Sequence, residues 1–426
     1  MLVHESASKE EVCPVCQKTF PLQILTVHAA SCGDPCYAEA GQSLVLSNTN
    51  RTLLEEFDKK RREIDDRTES PWNINVVRRL FISTAVEQLE EADAQDWQKT
   101  IRVHFIGEEG VDAGGLLREY FTLLFKETDV FEGNTFSLKP NLLEKKQYCL
   151  IGKAVAVAVL NGHPGPRCLN RYIAAYILEG REPDFRTLEK DEIQREDVRA
   201  VIKQIEDATL ESIGDVFNET MSFLQETGYS QVLTFTNKSQ AVSALKGHFL
   251  LYRFMAPINQ FVEGLKLHDV LKLLQQHTEE AMNYFCEDLD PKADDVVLFF
   301  KPSFSSVAEE KSIEEVIIYN WNKFLKKIEK GKVTTPWVDL HVEDATEQEV
   351  TLSIGHALQA LLGCTRIPLN IDCGLIEFDH ISCHLPKVNT CAPSITFSRT
   401  RDLQNYSLFE ETMMNIIVCS YGFGSA

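Results

Sequence analysis

The sequence from Phe105 to Phe121 reads FIGEEGVDAGGLLREYF, and its pattern predicts a strand, a glycine-rich turn and a helix. Before the turn, Ile101, Val103 and Phe105 alternate with polar residues, which is typical of a half-buried strand. After the turn, apolar residues recur at the spacing of one helical face, at Leu117, Phe121, Leu124 and Phe125. We therefore expect this segment to lie in the core of a folded domain.

The glycines of this turn do not match a phosphate-binding loop. Such a loop needs Gly-Lys-Ser/Thr after four spacer residues, whereas leucines follow Gly114 and Gly115 here. The carboxylates of Glu108, Glu109 and Asp112 would also repel a phosphate group. A structural turn between strand and helix is the better interpretation.

The pattern stays globular on both sides of this segment, from about Trp72 to the end. Residues 148–160, YCLIGKAVAVAVL, are apolar all round with small side chains, which predicts a buried, closely packed helix. Residues 183–280 are mostly amphipathic and predict further helices. Residues 300–311, FKPSFSSVAEEK, lack periodicity and carry proline, serine and charge, so we predict a hinge there.

After this hinge, roughly 115 residues have the size and pattern of a small domain. Thr346 and Glu349 have the spacing of a capping box, and Gly363 is placed to end the helix that follows. The helix carries an apolar stripe made of Ile354, Ala357, Leu358, Leu361 and Leu362.

Within this last unit, LPKVNTCAPSITF from Leu385 to Phe397 places Cys391 in a turn that leads into a strand. Proline and asparagine on both sides favour an exposed turn, although a lone cysteine is usually a buried core thiol. An exposed thiol can act as a nucleophile in its thiolate form. Cys364, Cys373 and Cys383 lie nearby and are competing candidates.

One of these competitors, Cys383, directly precedes His384 and raises the alternative of a protease-like pair. Adjacent residues of a strand point to opposite faces, which argues against that pair.

Near the N-terminus, CPVCQKTFPLQILTVHAASC places Cys13, Cys16, His28 and Cys32 at the spacing C-x2-C-x11-H-x3-C. Four such ligands in tetrahedral arrangement suit a structural zinc ion. A unit this short cannot bury enough apolar surface alone, so we expect the metal to supply its folding free energy. Cys36 is a spare ligand.

The composition limits the classes of function. The formal net charge is −21, which argues against broad binding to nucleic-acid backbones. The basic run of residues 59–62 lies among acidic residues, as on a solvated helix face; a nuclear import signal is the minor alternative. No stretch approaches the roughly 18 apolar residues of a membrane span. We expect a cytoplasmic or nuclear protein whose twelve cysteines are thiols, metal ligands or catalytic groups.

Several motifs, in order, resemble the HECT family of ubiquitin ligases. The first is F-x-G-E-x-G-x-D-x-G-G-x-x-R-E, from Phe105 to Glu119. The others are the helix of residues 148–160, ALQALLGCTRIP from Ala357 to Pro368, LPKVNTC around Cys391, and the ending GFGSA. Together they cover about residues 72–426.

This resemblance implies an α+β fold with two lobes. The expected organisation is a zinc finger over 1–36, a linker over 37–71, a mainly helical N-lobe over 72–306 and a small α/β C-lobe over 307–426.

The resemblance also implies the chemistry. Ubiquitin would pass from a conjugating enzyme to Cys391 as a thioester and then to a substrate lysine. Thr390 keeps the family's residue before the nucleophile, but Asn389 stands where the family usually has His, and Ala392 and Pro393 replace an aromatic residue and Asn. The implied role of Phe423, fourth from the end, is to dock on the other lobe or on ubiquitin and position the transfer.

These departures support an alternative function, a catalytically weak HECT-like scaffold that binds ubiquitin or a conjugating enzyme. The N-terminal spacing resembles small C2HC fingers that bind ubiquitin. Those fingers usually have Asp two residues after the metal-binding His, where this chain has Ala30. A structural or protein-binding finger is an equal alternative. Protein substrates, ubiquitin and a conjugating enzyme are the partners that the resemblance implies.

Overall fold

A computed structural model of the chain describes residues 10–12, 19–21, 48–108, 114–286, 290–337, 348–371, 373–382 and 384–420. Contacts divide the chain into two compact units, residues 1–52 and 53–426. Both helices and small sheets are present, so the mixed α+β class predicted from the sequence is confirmed.

In the first unit, strands β1 (Glu10–Val12) and β2 (Thr19–Pro21) pair antiparallel, with Glu11 opposite Phe20. The predicted zinc ligands Cys13, Cys16, His28 and Cys32 lie outside the described residues, so the finger stays a prediction.

Helix α1 (Asn48–Arg67) contains the charged run and confirms that this run is helical. Its outer face carries ion pairs one turn apart, including Arg61 with Asp58 at 3.2 Å. Its inner face buries Leu53 and Phe57 in the core of the second unit. Part of the segment predicted as a linker therefore packs as a regular element, while the domain boundaries themselves stay predictions.

The segment around the glycine-rich turn folds as its periodicity predicts. Strands β3 (Trp72–Val76) and β4 (Ile101–Phe105) pair parallel around helix α2 (Phe81–Glu91). Helix α3 (Gly115–Glu127) follows the turn, and nearly all of its side chains are buried. Such complete burial differs from the one-faced helix predicted, because α3 is covered on several sides.

The elements that follow are a β-hairpin and short helices that build the largest hydrophobic cluster. They are β5 (Phe131–Glu132), β6 (Thr135–Phe136), α4 (Pro140–Glu144), α5 (Gln147–Leu160) and α6 (Arg171–Glu179).

The region predicted to be helical is helical. It contains α7 (Glu196–Asp207), α8 (Ile213–Glu226), α9 (Lys238–Leu250), α10 (Met255–Leu265), α11 (Val270–Gln276) and α12 (Thr278–Phe285).

Helix α5 is as closely packed as its small residues predict. Gly152 lies so near α10 that a Cβ there would fall 2.2 Å from the Phe261 carbonyl oxygen. Gly264 of α10 approaches the Cys149 carbonyl oxygen in the same way, at 2.1 Å. Glycine at both positions lets the two backbones touch.

Helices α7, α8 and α9 form a separate, smaller hydrophobic cluster, which spans residues 188–250. The sequence pattern did not distinguish it from the larger cluster, because both consist of amphipathic helices.

A third hydrophobic cluster spans residues 293–417. Its sheet has the strand order β11-β12-β10-β7, with β10 parallel to both neighbours and β11 antiparallel to β12. The sheet strands are β7 (Phe300–Pro302), β10 (Gly374–Phe378), β11 (Lys387–Asn389) and β12 (Ser394–Phe397). The other elements are α13 (Ala293–Phe299), α14 (Ala308–Glu329), β8 (Thr334–Trp337), β9 (Gln348–Thr351), α15 (Ile354–Leu362) and α16 (Tyr406–Ser420).

The prediction of a hinge at residues 300–311 is wrong, because much of this segment forms regular structure. Phe300 to Pro302 form β7, which pairs with β10, and Ser303 donates its backbone N–H to the Ile376 carbonyl at 2.8 Å. The sheet thus holds the start of the segment, and Ser305 donates hydrogen bonds to Glu310 and Glu314 of α14. We refer below to residues 53–286 as the N-terminal part and to residues 290–420 as the C-terminal part.

Helix α15 has the predicted stripe but not the predicted start. Its stripe is buried, and Gly363 ends it with φ +75°, a left-handed conformation that favours glycine. Ser353 is the N-cap and forms a capping box with His356, whereas Glu349 of the predicted box lies in β9. Throughout the described part of the chain, no helix is long and apolar enough to cross a membrane.

Candidate active site

Cys391 lies in the turn between β11 and β12, as the sequence predicted. The two strands pair antiparallel, with Asn389 opposite Ser394, so residues 390–393 form the connection. The side-chain Oδ1 of Asn389 accepts hydrogen bonds from the backbone N–H groups of Cys391, at 3.0 Å, and Ala392, at 3.1 Å. Asn389 is therefore an Asx-type cap that shapes the turn around the thiol.

The surroundings of the described cysteines distinguish them as candidate nucleophiles. Cys391 is partly exposed, whereas Cys364 is completely buried. Burial raises the pKa of the Cys364 thiol to about 12, so it is protonated at neutral pH and inert as a nucleophile. Cys373 is exposed and directly precedes β10. Cys383 lies outside the described residues.

The first turn of helix α3 contacts the cysteine turn directly. A Cβ on Gly115 would lie 2.2 Å from Thr390 Oγ1 and 3.1 Å from the backbone nitrogen of Cys391. Only glycine allows this approach. The start of helix α3 and the turn that holds Cys391 thus meet at one place.

Arg118 joins the same two segments by hydrogen bonds. Its Nε donates to the carbonyl oxygen of Leu362 at 2.9 Å, and its Nη2 donates to the carbonyl oxygen of Thr390. Only 6% of Arg118 is exposed. A buried guanidinium is costly unless its donors are satisfied, so these carbonyls stabilise it.

Thr122 and His163 continue the contact one helical turn further along α3. The single proton of the Thr122 hydroxyl is within hydrogen-bond distance of two carbonyl oxygens, that of Arg118 in the same helix at 2.9 Å and that of Gly363 at 3.0 Å. The same hydroxyl oxygen lies 3.1 Å from Nε2 of His163. Because the backbone N–H of Gly165 donates to Nδ1 of His163 at 3.1 Å, the ring proton must be on Nε2, which donates to Thr122. Burial, with a contribution from Arg118, lowers the pKa of His163 to about 3, so this tautomer stays neutral.

A buried ion network supports α3 from the other side. Arg78 donates to Glu119 Oε1 at 2.7 Å and to Glu108 Oε2 at 2.9 Å. Burial opposes the charge, but the hydrogen bonds to Glu108 and the attraction of Glu119 raise the pKa of Arg78. The network ties the end of β4 to α3 and so positions the residues that reach Cys391.

The structure brings together three of the predicted site residues, Cys391, Asn389 and Thr390. Phe423 lies outside the described residues. Arg118, Thr122 and His163 were not assigned roles from the sequence. The available signal was the charged pair Arg118 and Glu119 inside a helix that is otherwise mostly apolar.

Three similar proteins are all named E3 ubiquitin-protein ligases. The G2/M phase-specific E3 ubiquitin-protein ligase of Homo sapiens is 25% identical over 239 residues, which are 54% of this chain and 33% of that protein. The E3 ubiquitin-protein ligase UPL1 of Arabidopsis thaliana is 24% identical over 431 residues, 92% of this chain and 11% of that protein.

The chain is thus similar to proteins named E3 ubiquitin-protein ligases. A shorter match, to the probable E3 ubiquitin-protein ligase HERC4 of Homo sapiens, is 41% identical over 59 residues, 14% of this chain and 6% of that protein. The chain therefore spans a third or less of the length of these three relatives. No protein-family model matches it.

Proposed function

We propose that this chain is a HECT-type ubiquitin-protein ligase that forms a ubiquitin thioester on Cys391 and passes the ubiquitin to a substrate lysine. The observation that carries the proposal is the position of Cys391: partly exposed, in a turn capped by Asn389, against helix α3. The names of the relatives support ubiquitin transfer as the class of reaction.

The proposed chemistry has two balanced steps. The Cys391 thiolate attacks the thioester carbonyl on the conjugating enzyme, a new thioester forms, and the enzyme's thiolate leaves. A neutral lysine amine then attacks the new thioester, an amide forms, Cys391 leaves as a thiolate, and the surplus amine proton goes to solvent or a nearby carboxylate. The first exchange is nearly balanced in energy, so alignment matters more than acid–base help.

We propose that the conjugating enzyme docks on the small cluster of residues 188–250. Three apolar side chains are exposed there, Leu210 at 75%, Val232 at 66% and Phe235 at 43%. They belong to neighbouring loops, because Lys238 donates to the carbonyl oxygens of Glu206 and Ala208. Exposed apolar anchors on a small subdomain are typical of a protein interface.

The remaining expectations from the sequence are part of the same proposal. The two lobes would correspond to the N-terminal and C-terminal parts, and the chain would act in the cytoplasm or nucleus. Phe423 would position the second step. A structural zinc ion on Cys13, Cys16, His28 and Cys32 would hold the finger, and elemental analysis of the full chain against Cys16→Ser tests it.

The decisive experiment is in vitro loading with ubiquitin, an activating enzyme and a panel of conjugating enzymes. The wild-type chain should form an adduct that a thiol reductant cleaves. Cys391→Ser should give a reductant-resistant oxyester or no adduct, while Cys364→Ser, Cys373→Ser and Cys383→Ser still load. Full loading of Cys391→Ala would overturn the assignment of the nucleophile.

The alternative function, a catalytically weak HECT-like scaffold, is an outcome of the same experiment. Binding of ubiquitin or a conjugating enzyme without a Cys391 adduct would favour it.

A further inference from the structure

Beside Cys391, a small set of hydrogen bonds joins the N-terminal and C-terminal parts, and we call this set the interlobe latch. Its donors are the side chains of Arg118 and Thr122, four residues apart on one face of α3. The Thr122 hydroxyl shares its proton between the Gly363 carbonyl and the Arg118 carbonyl of its own helix. Its acceptors are the backbone carbonyls of Leu362, Gly363 and Thr390. A backbone acceptor moves only with the segment that carries it. The latch therefore closes when α15 and the cysteine turn both lie against α3.

The acceptors of the latch suit a cation. Leu362 is the last residue of α15 and Gly363 is its C-cap, so their carbonyls have no partner within that helix. The C-terminal end of a helix carries partial negative charge and is stabilised by an arginine. Arg118 and Thr122 therefore supply, from the N-terminal part, hydrogen-bond donors for the last carbonyls of α15.

Two glycines let the parts approach closely enough for the latch to form. A Cβ on Gly363 would lie 2.7 Å from the Gly115 carbonyl oxygen, and a Cβ on Gly115 would collide with Thr390. The latch is buried, and His163 orients the Thr122 hydroxyl from behind.

We propose that Arg118 and Thr122 are positioning residues for the second step of the reaction, passage of ubiquitin from Cys391 to lysine. This inference rests on the proposed function. Arg118 holds the carbonyl of Thr390, the residue directly before Cys391, so a closed latch fixes the thioester while an amine attacks it.

Passage of ubiquitin to lysine is favoured by a closed latch, whereas loading of Cys391 needs an open one. With the latch closed, Cys391 lies partly covered beside Gly115, and a conjugating enzyme charged with ubiquitin needs far more room at the sulfur than one lysine amine. The latch therefore opens for loading and closes for passage to lysine, a reorientation of two parts about their connection.

Gly115→Ala gives the cleanest test, because alanine favours the helix of the N-terminal part while its methyl group displaces Thr390. The matched control is Gly355→Ala, at the second position of α15, where a Cβ meets only ordinary contacts of 3.5 Å or more. Arg118→Met removes the guanidinium, and Arg118→Lys keeps the charge but loses the planar set of N–H donors. Thr122→Val removes only the hydroxyl.

Three rates are measured on the full chain. Discharge of preloaded Cys391 to free lysine should fall about tenfold in Gly115→Ala, Arg118→Met and Thr122→Val, with Arg118→Lys intermediate and Gly355→Ala unchanged. Loading should be as fast as wild type or faster. The rate at which a bulky maleimide alkylates Cys391, measured by mass spectrometry relative to the exposed Cys373, should be severalfold higher in these three variants than in the wild type.

Unchanged or faster discharge in the latch variants would overturn the proposal, and so would a parallel loss of loading and discharge, which marks a purely structural role. If no variant or wild-type chain loads, the proposed function fails on its own. The alkylation rates then still decide whether the latch covers Cys391, since equal rates in wild type and variants would exclude it.

Discussion

Arg118 donates a hydrogen bond of 2.9 Å to the carbonyl oxygen of Leu362, although 244 positions separate the two residues in the chain. The bond joins the middle of α3 to the end of α15, and the same guanidinium reaches the residue before Cys391. The first turn of helix α3 and the cysteine turn therefore form one site.

Asn389 should matter for the shape of the cysteine turn. Asn389→Ala removes the acceptor for the N–H groups of Cys391 and Ala392, so we expect loading to slow by about tenfold because the thiol is less well placed. Asn389→Asp keeps a side-chain oxygen and is the control. Thioester formation in a single-turnover assay measures both. Equal rates for Asn389→Ala and wild type would show that the strands alone shape the turn.

His163 should make the stability of the fold depend on pH. The pKa of its imidazole falls from 6.5 in the unfolded chain to about 3 in the fold. As the pH falls below 6.5, the unfolded state binds a proton that the folded state excludes, so stability decreases until pH approaches 3. Between pH 7 and pH 5 the free energy of unfolding should lose about 2 kcal/mol from this group.

His163→Gln removes that contribution while keeping a side-chain N–H. Denaturant unfolding of both proteins at each pH measures the difference, in which the other histidines cancel. If the difference in unfolding free energy between the variant and the wild type stays constant from pH 7 to pH 5, the buried imidazole is not neutral as we infer.

The exposed apolar residues of the small cluster should be needed for loading alone. Leu210→Ser and Val232→Ser should each weaken transfer from the conjugating enzyme by at least about tenfold, because central apolar anchors dominate such interfaces. The control is Leu298→Ser, an exposed leucine on α13 of the C-terminal part. Alkylation of Cys391 should be unchanged in all three. Normal loading of both cluster variants would place the docking surface elsewhere.

Deletion of residues 423–426 should separate the two steps. We expect loading of Cys391 to remain and passage to lysine to slow, because the second step needs the C-terminal part held against its partners and Phe423 is the bulky residue of this tail. Phe423→Leu keeps an apolar group and should be milder. Passage to lysine at the normal rate in the truncated chain would leave Phe423 as ordinary packing.

Local structure was accessible from the sequence wherever one periodicity dominated. The β4–turn–α3 segment, the packed helix α5, the buried stripe of α15 and the left-handed Gly363 all follow from side-chain spacing and glycine chemistry. The hinge at residues 300–311 failed for a related reason. A short strand such as β7 has too few residues to show a period, and its partner β10 lies some 70 residues later.

By itself, the sequence determined the local conformation around Cys391, because proline, asparagine and a short strand specify a turn through neighbouring residues. It also determined that Gly363 ends α15. Only the tertiary structure decided that this turn lies against Gly115 and that Arg118 and Thr122 reach the last carbonyls of α15. Those contacts join residues more than 240 positions apart, and they depend on how two separately packed cores meet, which no local pattern encodes.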